Sequence, residues 1–142
     1  RHAGGGPPVL RTLQHPKGVP GLFQTIQATV DGDTTLATRA AMWAEDSCAS
    51  GKTLSFLENP ERSLLWQLDE MRRLAENEHW YGVRYDACCF VGARKESQWI
   101  GANTDIITRL EAECAHVHSP TEWERAGKFS RAEEKEYTAQ LA

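Results

Sequence analysis

The 142-residue sequence lacks any apolar run approaching the roughly 20 residues of a membrane-spanning helix, and no charged stretch precedes an apolar one as in a signal peptide. A chain without membrane span or leader is expected. Cysteine is scarce: Cys48, Cys88, Cys89 and Cys114 are too few and too irregularly spaced for a disulfide framework. A reducing, intracellular setting follows as the expectation. An excess of basic charge is also missing, with 16 Lys and Arg against 20 Asp and Glu for a net charge of −4. That balance speaks against gripping nucleic acid through bulk charge. An initiating methionine is absent too. Arg1 opens the chain, and the expected origin is a longer or processed polypeptide.

What is present is an ordinary globular composition, 40% hydrophobic and 25% charged, at a length that suits one domain. Residues 1–21 hold five Gly and four Pro, which disfavours regular structure. Residues 1–30 carry Arg1, Arg11 and Lys17 and no acid, so residues 1–32 read as a basic Gly/Pro-rich arm.

From Asp33, a suitable N-cap, the positions Leu36, Ala40, Trp43, Ala44 and Cys48 recur at helical spacing until Gly51, predicting a helix over 33–49. Residues 53–57 form a β-prone run stopped by Glu58-Asn59-Pro60. Leu64, Leu68, Met71 and Ala75 predict a second helix over 61–77, capped by Asn59 or Ser63. Strict alternation from Val83 to Val91 predicts a strand with Val83, Tyr85, Ala87, Cys89 and Val91 on one face and Arg84, Asp86, Cys88 and Phe90 on the other. A polar turn at 92–96 and a returning strand at 97–102 complete a hairpin. Asp105 can cap a third helix reaching Cys114, and the segment 119–142 reads as a polar tail. The order predicts an α/β domain over 33–118, its helices on the faces of a sheet and its 53–91 unit a right-handed crossover.

Glu58-Asn59-Pro60 is the sharpest chemical feature. Polar residues just past a strand's carboxyl end face the ligand crevice of an α/β sheet, where a carboxylate can exchange protons with a substrate. The plainer alternative is a helix start, with Pro60 and Glu61 in the first turn.

The strings Phe56-Leu57-Glu58-Asn59-Pro60, Ser63-Leu64-Leu65-Trp66, Asp86-Ala87-Cys88-Cys89-Phe90, Arg94-Lys95-Glu96-Ser97 and Asn103 resemble a methyltransferase-like domain related to DNA cytosine-5 methyltransferases. Such domains occur in mobile-element polyproteins of some protists, and the upstream stretches Leu10-Arg11-Thr12 and His15 to Leu22 are similar to the segment preceding that domain. The resemblance implies the second half of a Rossmann-like methyltransferase sheet with flanking helices and a C-terminal hairpin. It also implies roles: Glu58 and Asn59 at the position that contacts the target base, and Arg94 and Lys95 at the DNA. The family's proline-preceded nucleophilic cysteine has no counterpart, because none of the four cysteines follows a proline. Nor does Gly4-Gly5-Gly6 follow a strand, so it is no nucleotide-binding turn. S-adenosylmethionine would need an upstream half to complete its site.

Two further constellations stand out. Cys88, Cys114, His116 and His118 supply thiols and imidazoles that could hold Zn²⁺ if the third helix returns beside the long strand, with Cys89 nearby; the alternative is buried thiols and surface histidines. Of five tryptophans, Trp43 and Trp66 are expected in the core, while Trp80 and Trp123 are the expected partner-binding residues together with Leu54 and Phe56 on an open sheet edge. Composition favours a non-catalytic accessory or structural subunit that binds other protein chains. The alternative is a fragment of an S-adenosylmethionine-dependent DNA methyltransferase whose own hold on DNA is weak.

Overall fold

The computed structural model describes residues 9–90 and 96–117. Helix α1 (Gln24–Ser50) is followed by strand β1 (Phe56–Pro60), helix α2 (Asp69–Ala75) and strands β2 (Tyr81–Asp86) and β3 (Ser97–Ala102). Short 3-10 helices lie at Leu64–Gln67, Ala87–Phe90 and Asp105–Leu110.

Helix α1 starts nine residues before the expected Asp33, inside the stretch read as an arm. Thr25, Thr29, Gly32 and Thr34 are weak helix formers, but tertiary contacts outweigh that propensity. The Arg11 guanidinium donates to the Val30 carbonyl (2.8 Å), to Thr34 Oγ1 (2.8 Å) and to the Pro16 carbonyl (2.6 Å), clamping the preceding loop to the helix. Val30 is buried under Gly18, whose φ of 124° and lack of Cβ let the loop approach; a Cβ there would come within 2.9 Å of Val30 Cγ1. At the other end Gly51 takes the left-handed conformation and donates to the Ser47 carbonyl, as the sequence suggests.

The buried stripe of α1 is Val30, Ala41, Ala44, Ser47 and Cys48. Leu36 and Trp43, expected in the core, are instead exposed, Trp43 by 68%. The small side chains of Ala41 and Ala44 admit Leu68, Met71, Leu74 and Trp80, so the alanine side of a broad apolar strip faces inward. The predicted 61–77 helix divides at Leu68, whose ψ of 141° is extended and whose side chain fills that core. Ser63 caps the first piece, accepting from the Leu65 amide.

The sheet order is β1-β3-β2 and every neighbouring pair is antiparallel. β1 and β2 run the same way, as a strand–helix–strand unit requires, but β3 occupies the place between them. Mixed helix and strand is thus established, around a small antiparallel sheet. The expected hairpin of β2 and β3 is present, although β2 ends at Asp86 and the chain turns into the 3-10 segment carrying Cys88 and Cys89. The third helix is shorter than expected, a 3-10 turn capped by Thr104 and not Asp105, and Cys114 lies beyond it.

One sheet face is tiled by tryptophan. Trp80 lies on Gly101 and Trp99 on Gly82, where added Cβ atoms would sit 2.4 Å and 2.0 Å from the indoles. Trp66 meets Trp99 edge-on at 4.6 Å between centroids. These three rings, with Met71 and Leu74, line a cleft of about 170 Å³. The opposite face packs Val83, Tyr85 and Ile100 under Phe90, Ile107, Leu110 and Ala112.

Candidate functional site

Glu58 and Asn59 lie within β1, not beyond it: Glu58 pairs with Ile100 and Asn59 with Trp99. The expected strand at 53–57 is therefore shifted towards the C-terminus, because Ser55 is held by Asn103 and pairing runs on to Pro60. Asn103 Oδ1 accepts from the Ser55 amide (2.8 Å), and Asn103 Nδ2 donates to the Thr53 carbonyl (2.7 Å). With its amide nitrogen turned to the carboxylate, Gln98 donates to Glu58 Oε1 at 2.9 Å. Burial, and then the nearby Glu96 charge, push the Glu58 carboxyl above its ordinary range.

Register explains how proline fits this strand. The Asn103 amide donates to the Ser55 carbonyl (3.2 Å) and the Glu61 amide to the Ser97 carbonyl (3.0 Å). Antiparallel alternation then makes Leu57–Gly101 and Asn59–Trp99 the bonded pairs and turns the Phe56 and Glu58 amides to the outer edge. Pro60 falls on an outward position, where no ladder donor is lost. Its carbonyl accepts from Trp66 Nε1 (3.0 Å) and from the Ser63 amide (2.8 Å). Among the described residues nothing pairs with the outward backbone of Phe56 and Glu58, beside the exposed side chains of Leu54 and Phe56. The outer edge of β2 differs: Ala112 bridges Tyr85, with the Asp86 amide donating to the Ala112 carbonyl at 2.8 Å.

That bridge assembles a second cluster. Asp86 is 0% exposed and accepts from Ser97 Oγ (2.6 Å), the Cys114 amide (2.8 Å) and Arg84 Nη2 (3.4 Å). Arg84 also reaches Glu61 at 3.2 Å, and the hydrogen bond to Glu61 raises its pKa further. The carboxylate so ties the end of β2 to the start of β3 and to the Cys114 segment. The sulfurs of Cys88, Cys89 and Cys114 lie within 4.8 Å of one another, and His116 Nδ1 is 3.3 Å from Cys114 Sγ. Burial first, then the Cys114 thiol and its charge, push Cys88 up to about 12. The structure thus brings together Cys88 and Cys114 of the expected set and adds Cys89, with the exposed His116 against Cys114 but outside that group of three; His118 lies outside the described residues.

Trp80 corrects the sequence reading. Expected at an interface, it is only 7% exposed, because Gly101 gives its indole a flat seat under α1. Leu54 and Phe56 are exposed as a docking edge needs, while Trp123, Arg94 and Lys95 lie outside the described residues. Arg84 and Asp86 carry structural roles that sequence reasoning passed over; their shared strand face was the available signal. Among the described residues no helix is long and apolar enough to cross a membrane. No family model, curated protein or solved structure matches the chain.

Proposed function

We propose that this chain is a non-catalytic accessory or structural subunit of a larger protein assembly, derived from a methyltransferase-like domain with a partial Rossmann-like sheet. One observation carries this: the Glu58-Asn59 pair is absorbed into the β1–β3 ladder, with Glu58 held by Gln98, and among the described residues the apolar-flanked outer edge of the same strand is unpaired. Exposed backbone groups on an edge strand invite another strand. The partner fitting it is an extended protein segment that bonds to the Phe56 and Glu58 backbone and sets apolar side chains against Leu54 and Phe56.

A second reading has its own support. Glu58 is half-buried and holds its proton more firmly than an ordinary glutamate, a property suited to contacting a ring nitrogen of a flipped base. It makes the chain a fragment of an S-adenosylmethionine-dependent DNA methyltransferase. Calorimetric titration of the full chain with S-adenosylmethionine, and anisotropy with a DNA duplex at moderate salt, separate the two. The subunit role predicts binding of neither, with a stoichiometric assembly isolated from the native source and cross-links running from Lys52 to another protein. Binding of both by a monomeric native chain would overturn it.

A further inference from the structure

We propose that Cys88, Cys89, Cys114 and His116 form a tetrahedral Zn²⁺ site of structural type, joining the end of β2 to the segment after Leu110.

The distances suit the ion. With Zn–S near 2.3 Å and Zn–N near 2.0–2.1 Å, tetrahedral geometry separates ligand sulfurs by about 3.8 Å and sulfur from nitrogen by about 3.6 Å. The three sulfurs already lie within 4.8 Å of one another, so small side-chain rotations close the thiol set, and the exposed His116 ring, close to Cys114 but not to all three sulfurs, swings inward to complete it. The Cys114 Sγ to His116 Nδ1 distance of 3.3 Å needs only a slight opening.

The ligands are also held by independent anchors. Cys88 and Cys89 ride on the 3-10 turn Ala87–Phe90, fixed by the Ala87 amide donating to the Glu96 carbonyl (2.9 Å) and by the Phe90 ring edge-on to Tyr85 (5.5 Å). Cys114 is fixed by its amide on the buried Asp86 carboxylate and by the Tyr85–Ala112 bridge. Two segments distant in sequence thus deliver sulfur to one point. The His116 amide donates to Cys114 Sγ at 3.3 Å, a bond that stabilises a metal-bound thiolate.

The donor set selects the metal. Three thiolates and an imidazole suit a soft or borderline ion such as Zn²⁺ and exclude Mg²⁺ and Ca²⁺, which take oxygen. Four protein ligands leave no open position, the mark of a structural and not a catalytic centre. Metal binding here would lock the short segment after Leu110 across the outer edge of β2.

The test uses the full 142-residue chain, expressed in zinc-supplemented medium and purified under reductant without chelator. Elemental analysis is expected to give one zinc per chain, and Co²⁺ in its place the intense visible bands of a tetrahedral thiolate site. Cys48→Ser, on α1 away from the cluster, keeps the metal, whereas Cys89→Ser and His116→Ala lose stoichiometric zinc and shift the Co²⁺ spectrum. Because a ligand variant can misfold, thiol mapping on the parent chain gives a second readout: zinc protects Cys88, Cys89 and Cys114 from alkylation, and a chelator removes the protection. A chain without zinc after this preparation, equal alkylation with and without zinc, a Cys88–Cys114 disulfide in the reduced preparation, or full zinc retention in Cys89→Ser would each overturn the site.

Discussion

Replacing Gly101 by alanine puts a methyl group 2.4 Å from Trp80 Nε1, with Cε2 at 2.7 Å and Cζ2 at 2.8 Å. The indole must lift by about 1 Å to regain ordinary contact, and the space above it is filled by the core that α1 and α2 share. Overpacking of this kind costs about 1–3 kcal/mol, while removing a strand glycine returns roughly 0.5–1 kcal/mol. A net loss of about 1–2 kcal/mol is expected, a fall in Tm of roughly 4–12 °C for a domain of this size. Urea unfolding followed by circular dichroism measures it, and the same substitution in a Trp80→Leu background isolates the cause. The penalty should largely vanish there, since the clashing ring is gone. An unchanged Gly101→Ala stability, or a penalty that persists without the indole, would refute the seating of Trp80 on the sheet.

The two tryptophans that exchange places relative to expectation make a sharp pair. Trp80→Ala should cost about 3–5 kcal/mol, and Trp43→Ser should stay within about 0.5 kcal/mol, both read by denaturant midpoint. Asp86→Asn should destabilise by about 2–3 kcal/mol and release the Cys114 segment, seen as faster proteolysis after Leu110, because an amide cannot accept from Ser97, Cys114 and Arg84 together as the carboxylate does. Folded Glu58 keeps its proton to higher pH than the unfolded chain does, so the folded state binds more protons across that window and stability falls as pH rises through it. Relative to the parent, Glu58→Gln should therefore gain stability between the ordinary glutamate range and neutral pH; equal pH profiles would contradict the buried placement of the carboxylate.

Local signals with a single strong cause were readable from the sequence. Gly51 ends α1, Ser63 caps the following turn, and the hairpin of β2 and β3 follows from alternation around a polar turn. Features set by distant contacts were not. The start of α1 depends on Arg11 and Gly18, whose partners Val30 and Thr34 lie about two turns away from any local cap. The placement of Glu58-Asn59-Pro60 depends on register with β3, and proline at an outward position lets the strand continue where local rules end it. The thiol cluster was half legible: cysteine and histidine at 114 and 116 are plain in the sequence, but the Asp86 carboxylate that holds Cys114 beside Cys88 and Cys89 is visible only in three dimensions.

Amide hydrogen exchange along β1 tests the subunit role most directly. In the isolated chain Leu57 and Asn59, bonded to β3, should exchange slowly, and Phe56 and Glu58, facing the outer edge, should exchange fast. In the assembly isolated from the native source all four should be slow, because a partner strand then covers the edge. Fast exchange at Phe56 and Glu58 in that intact assembly would contradict docking through β1.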